Sequence, residues 1–141
     1  KNLYSFNYTV SSDPSSAAFL IALTLLTPNS QLLIKNVNCN STRTGFIKIL
    51  KEKMKANIKI KNLRKISGEL VGSIIVKSSS LKSINCPKEL VPSLIDELPI
   101  LFIISALTKG ISKFNSIEEL KNKESNRFNK RRCKRELKKT A

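Results

Sequence analysis

The chain has no histidine at all, and it has few acidic residues: 10 Asp and Glu stand against 26 Lys and Arg in 141 residues. Without histidine the commonest general base and the commonest metal ligand are missing, so zinc sites and Ser-His triads are excluded within this chain. The three cysteines (Cys39, Cys86 and Cys133) are far apart, odd in number and in no CxxC arrangement. A disulfide framework does not fit that pattern; buried or incidental thiols in a reducing compartment do. No run approaches the roughly 18 apolar residues that a membrane-spanning helix requires, and no basic-then-apolar leader opens the chain. A soluble cytoplasmic protein, with no membrane partner, is the expectation.

The formal charge is +16 and the isoelectric point about 10.1. Such a field attracts anions, whether phosphorylated metabolites, nucleic acid or an acidic surface, and does not choose among them. Ten basic and two acidic residues lie between Lys121 and Ala141, a local balance of +8 that is half of the total. Over the whole chain, 40% hydrophobic and 26% charged residues allow a modest core, and upstream of Lys121 the chain is that of an ordinary, mildly basic globular protein. A small basic nucleic-acid-binding protein is one reading of the charge. Against it stand only eight aromatics (six Phe, two Tyr), most at core-like positions, and no RNA- or DNA-binding fingerprint.

Periodicity gives the element order. Tyr4 to Val10 alternates aromatic and polar residues as a half-buried strand does. Asp13 can cap a helix whose first residue is Pro14, and Ala17 to Leu26 is apolar almost all round, as in a largely buried helix. Pro28-Asn29 ends it. Gln31 to Val37 is a strand; Thr42 or Thr44 caps a second helix through Phe46, Ile49, Leu50 and Met54. Asn57 to Lys61 and Glu69 to Lys77 are strands on either side of a turn at Ser67-Gly68. The order is β-α-β-α-β-β. A shorter copy follows: a strand at Leu81 to Asn85, a helix at Pro99 to Leu107, a strand at Ile111 to Asn115 and a helix from Ile117. Leu26-Thr27-Pro28-Asn29 overlays Leu107-Thr108-Lys109-Gly110 at a shift of 81 residues, which points to internal duplication.

Three segments carry chemistry beyond packing. Asp13-Pro14-Ser15-Ser16-Ala17-Ala18 sets a carboxylate and two hydroxyls at a helix start, and capping alone would also explain it. Ile95-Asp96-Glu97-Leu98-Pro99 sets two adjacent carboxylates before a buried helix. Capping needs one acid, and a helix N-terminus keeps a carboxylate ionised and able to act as a base. Lys123-Glu124-Ser125-Asn126-Arg127 puts two cations four residues apart on one helical face with an acid between them. That arrangement suits a phosphate or carboxylate ligand beside a proton donor, or simply a solvated salt-bridge face.

Taken with Thr42-Arg43-Thr44-Gly45, these strings resemble the 5-enolpyruvylshikimate-3-phosphate (EPSP) synthase family, in its order and at about its spacing over roughly residues 8 to 128. The resemblance implies an α/β fold of repeated β-α-β-α-β-β units. One unit would span about 4–77 and part of a second about 81–128, so that residues 1–128 form a partial enolpyruvyl transferase domain and 129–141 a divergent basic tail. It implies transfer of the enolpyruvyl group from phosphoenolpyruvate to the 5-hydroxyl of shikimate 3-phosphate, releasing phosphate, with no metal or organic cofactor and no nucleic acid. By the family's pattern Asp96 accepts the hydroxyl proton and binds the shikimate ring, and Lys123 contacts shikimate 3-phosphate and shares in proton transfer. Glu124 handles the proton at the methylene carbon of phosphoenolpyruvate, and Arg127 holds that substrate's anionic groups. The chain departs from the pattern at Asn126 and Ser12, where Asp and Gly are usual, and at Lys55, where a glycine usually follows Met54. It has about a third of the family's length and lacks the remaining substrate-gripping residues. The expectation is an internal fragment, inactive alone, of a parent enzyme that is monomeric at full length.

Overall fold

The computed structural model describes residues 4–114. The segment carrying Lys123, Glu124 and Arg127, the helix expected from Ile117, and the basic tail lie outside the described residues. Helix α1 spans Pro14–Leu26. Asp13 is extended, and its carboxylate accepts from the backbone N–H groups of Ser15 (3.3 Å) and Ser16 (3.0 Å), while Pro14 has no N–H to satisfy. The helix stops where Thr27 turns extended, and Asn29 adopts a positive φ of 55°. Strand β1 (Gln31–Asn38), helix α2 (Gly45–Glu52) and strands β2 (Asn57–Ile66) and β3 (Glu69–Lys77) follow. The β2–β3 hairpin closes through Ser67 and Gly68, both at positive φ, and pairs Ile66 with Glu69 directly. Two left-handed central residues match the right-handed strand twist.

The three strands form an antiparallel sheet in the order β1-β3-β2. Ile34, Ile74 and Ile60 stand in register, as do Leu32, Val76 and Ile58. These residues build one face of the sheet into the core, where α1 packs on β1 and β3 and α2 packs on β2. Ile21, Ile49, Leu50, Met54 and Ile74 are fully buried there. A second unit begins with β4 (Asn85–Cys86), passes through two 3₁₀ turns (Lys88–Leu90 and Pro92–Leu94) and helix α3 (Leu98–Leu107), and reaches β5 (Lys113–Phe114), parallel to β4 and the last of the described elements. Helix α3 packs on α1. The two helix exits match at the expected shift: Thr27 and Thr108 are both extended caps, and Asn29 and Gly110 both take positive φ. The fold class is α/β, as expected.

Several boundaries differ from the sequence reading. Tyr4 to Val10 is no strand: Tyr4, Phe6, Tyr8 and Val10 are all exposed, so no face is buried to fix a register. Only Ser12 joins the sheet, in a parallel bridge to Val37, with its N–H on the Asn36 carbonyl at 2.8 Å. With Phe19 also exposed, four of the seven aromatics among the described residues lie outside the core, contrary to their core-like spacing. Strand β2 runs to Ile66 rather than Lys61, because a bulge between Lys61 and Arg64 reverses the alternation halfway along. Helix α2 ends at Glu52. The Met54 N–H reaches back to Ile49 at 3.1 Å, and Lys55 turns left-handed at φ 61°. Leu81 to Ile84 is loop, since Lys82 donates to the Met54 carbonyl and Ile84 to the Ser112 hydroxyl instead of to a strand partner. Helix α1 is buried on one side only, and Phe19, Leu20 and Leu23 are exposed on the other.

Candidate functional site

The starts of α1, α2 and α3 meet at one cleft of about 70 Å³, lined by Ser15, Thr42, Arg43, Pro92, Ser93, Ile95, Asp96 and Glu97. Ser15 sits in the first turn of α1, Thr42 and Arg43 immediately precede α2, and Glu97 is the residue before α3. Three of the four strings marked in the sequence therefore converge in space. What brings α2 so close is Gly45, its first residue, against the Pro92–Leu94 turn. A Cβ at Gly45 would lie 2.7 Å from the Ser93 carbonyl oxygen, and closer still to the Ser93 hydroxyl. The Ser93 hydroxyl in turn donates to the Leu90 carbonyl at 2.8 Å, which holds the turn in place.

Arg43 bridges two of the elements. Its Nη2 donates to Asp13 Oδ1 at 2.7 Å, so the loop before α2 is tied to the start of α1. Partial burial pulls the Asp13 carboxyl upward. The backbone N–H groups of Ser16 and Ser15, the Ser16 hydroxyl and Arg43 outweigh that pull and hold it below its ordinary value. Thr44 stands at the N-cap of α2, but its backbone is not extended, and its hydroxyl donates to the Asn40 carbonyl at 3.2 Å instead of accepting from the helix. Neither Thr42 nor Thr44 is thus the side-chain cap expected from the sequence. The adjacent acids before α3 divide: Glu97 is buried at the N-cap position without capping through its side chain, while Asp96 is exposed on the cleft. Helix N-termini carry partial positive charge, so a cleft walled by three of them attracts anions.

Of the expected site residues, Asp96 is placed on the cleft; Lys123, Glu124 and Arg127 lie outside the described residues. Sequence reasoning marked the string containing Arg43 without assigning that residue a partner, and it missed Ser93 altogether, for which no local signal exists. Cys39 and Cys86 are buried thiols whose pKa burial raises, so neither is a ready nucleophile. Among the described residues no group of three or more His, Cys, Asp or Glu could hold a metal, and no helix is long and apolar enough to cross a membrane.

The cleft sits in an α/β fold whose solved counterparts are EPSP synthases. The structure is similar to an EPSP synthase from Acinetobacter baumannii, with a TM-score of 0.81 and 40% sequence identity over 85% of this chain and 27% of that one. The sequence profile of EPSP synthase (3-phosphoshikimate 1-carboxyvinyltransferase) matches residues 1–140, and the chain belongs to that family. It is 51% identical over 119 residues to the 3-phosphoshikimate 1-carboxyvinyltransferase of Carboxydothermus hydrogenoformans, covering 84% of this chain and 28% of the relative. It is 47% identical over 139 residues to that of Petrotoga mobilis, covering 99% of this chain and 32% of the relative. The chain thus spans about a third or less of the curated relatives it matches.

Proposed function

We propose that this chain is part of an enzyme that transfers the enolpyruvyl group of phosphoenolpyruvate to the 5-hydroxyl of shikimate 3-phosphate and releases phosphate. The observation that carries this reading is the convergence of Ser15, Thr42-Arg43 and Ile95-Asp96-Glu97 on one cleft, within a chain that belongs to the EPSP synthase family. In this reading Asp96 takes the proton of the attacking hydroxyl and holds the shikimate ring. Its exposure on the cleft supports that role, because a base must come within hydrogen-bond reach of the proton it removes. Lys123 contacts shikimate 3-phosphate and takes part in proton transfer, Glu124 manages the proton at the methylene carbon, and Arg127 neutralises phosphoenolpyruvate. Both substrates are multiply charged anions, so cations hold them together against their repulsion while carboxylates move protons. The reaction calls for neither a metal nor an organic cofactor. The enzyme is read as a cytoplasmic monomer.

The test is phosphate release by the protein encoded with the flanking sequence, assayed with each substrate alone and with both. Release that requires both supports the reading; release with phosphoenolpyruvate alone, or none with both, refutes it. The 141-residue chain by itself is expected to release no phosphate, because the proximity and charge complementarity supplied by the rest of the enzyme are missing.

A further inference from the structure

The sheet has a second cavity on the face turned away from the helices. It measures about 240 Å³ and is lined by Leu33, Lys35, Asn36, Asn62, Arg64, Val71, Gly72 and Ser73. Its cause is a pair of bulges. Between Ile34 and Val37, strand β1 places one more residue than β3 does opposite, and between Lys61 and Arg64 strand β2 does the same. The two irregularities flank the same stretch of the central strand, Gly72–Ser73, and each contains an asparagine in the left-handed region, Asn36 at φ 57° and Asn62 at φ 54°. Both edge strands therefore bend at one level of the sheet. Left-handed backbone at non-glycine residues is unfavourable and gathers where the surroundings put it to use.

The chemistry of the cavity has one sign. Lys35 and Arg64 line it, Lys61 stands directly opposite Ser73 and Lys59 opposite Ile75 on the same face, and no carboxylate is among the lining residues. The nearest acid on that face of β3, Glu69, lies beyond Val71 and accepts a hydrogen bond from the Ser11 hydroxyl at 2.6 Å. Arg64 is held in place: its Nη2 donates to Asn36 Oδ1 at 3.1 Å, which leaves other N–H groups of the guanidinium to donate.

We propose that this cavity is an anion site that takes a phosphate group, with Arg64 as the fork, Lys35 as the second charge and the Ser73 hydroxyl as a further donor. A planar guanidinium fixed by an amide is suited to two phosphate oxygens at once. The volume suits a phosphate with a few attached atoms, below the roughly 300 Å³ at which drug-sized sites begin. The lining has no aromatic ring on which a base could stack, which argues for a small phosphate ester over a nucleic-acid strand.

Titration of the 141-residue chain with inorganic phosphate at constant ionic strength, followed by amide chemical shifts, tests the proposal. Saturable shifts at Asn36, Asn62, Arg64 and Ser73, distinct from any at Ser15 and Arg43, are expected. Arg64→Gln and Lys35→Gln should each weaken that saturation about tenfold, the loss of one charge-assisted bond, while the rest of the spectrum stays native. Shifts confined to the Asp96 cleft, shifts spread over every exposed lysine, or saturation unchanged in both variants would overturn it. So would binding of a mixed-sequence oligonucleotide at this face where phosphate fails.

Discussion

Replacing Gly45 by alanine tests the geometry of the cleft wall. The new Cβ would fall 2.7 Å from the Ser93 carbonyl oxygen and 3.0 Å from its carbonyl carbon, where ordinary contact begins at 3.4 Å. Both are backbone atoms, so no change of rotamer relieves them, and α2 and the Pro92–Leu94 turn must part by about 0.7 Å, the shortfall of 2.7 against 3.4 Å. Overpacking of this kind costs about 1–3 kcal/mol. Alanine's better helix propensity returns up to about 1 kcal/mol, less at a first helical residue. A net loss of about 1–2 kcal/mol follows, or roughly 3–10 °C in melting temperature for a chain of this size. Thermal unfolding followed by circular dichroism at 222 nm measures it. Adding Ser93→Gly removes the hydroxyl contact but not the carbonyl one, so the double variant should recover only part of the loss. A melting temperature at or above that of the unaltered chain would refute the close approach. In the enzyme proposed above, the same shift would move the turn leading to Asp96, and misplacement on the order of 1 Å costs about a hundredfold in rate.

Lys55→Gly should stabilise the chain by about 0.5–1 kcal/mol, because glycine adopts the left-handed backbone seen there at φ 61° without strain; Lys55→Ala, which keeps the strain, should give no gain by the same melt. Asp13 has a depressed pKa, so its contribution is present above the ordinary carboxylate value of about 3.9 and fades as pH falls through the lower folded value. The stability difference between the unaltered chain and Asp13→Asn, measured by urea titration from pH 7 to pH 2, should therefore shrink only below about pH 4, and a constant difference would mean that neither the Ser16 and Ser15 N–H groups nor Arg43 depresses the carboxyl. In the proposed enzyme Asp96→Asn should leave the melting temperature nearly unchanged, since Asp96 is exposed and asparagine keeps its size and capping ability, and should lower turnover by about a hundredfold or more, as loss of a general base does. An unfolded variant or a near-normal rate would make Asp96 structural.

The elements legible in the sequence are those whose signals are local. Asp13-Pro14 marks the start of α1 because cap and first residue act through neighbouring N–H groups, and Ser67-Gly68 marks the hairpin because two left-handed residues suffice to close it. Alternation is weaker evidence. Tyr4 to Val10 alternates as well as Glu69 to Lys77 does, yet only the second finds strands on both sides. Beyond Lys61 the bulge moves side chains to the opposite face, and a strand of ten residues reads as one of five. The site was legible as separate strings, but not as a contact. The Arg43–Asp13 pair joins residues thirty apart in the chain, and neither sequence position announces the other. Adjacent acids give no sign of which is buried, because that depends on how α3 meets the core, and Glu97 is the one turned in.

That division of labour among the carboxylates explains how a cleft built to attract anions keeps acids in its wall. Each helix N-terminus contributes roughly half a positive charge, so three of them with Arg43 would make a strongly positive pocket. Asp13 offsets part of this: it occupies the free N–H groups at the start of α1 and pairs with the guanidinium of Arg43. Its role is therefore to fix α1 and the loop before α2, and little of its charge is left to repel an arriving anion. Glu97 is buried away from solvent at the start of α3. Asp96 is the acid exposed on the cleft, between the starts of α2 and α3, which is the position the proposed role of proton acceptor requires. In the proposed reaction one acid sets the geometry, one sits in the core at a helix start and one moves the proton. Exchanging Asp13 for a neutral cap would therefore loosen the Arg43 loop without removing the proposed base, whereas exchanging Asp96 would remove that base and keep the Asp13–Arg43 pair.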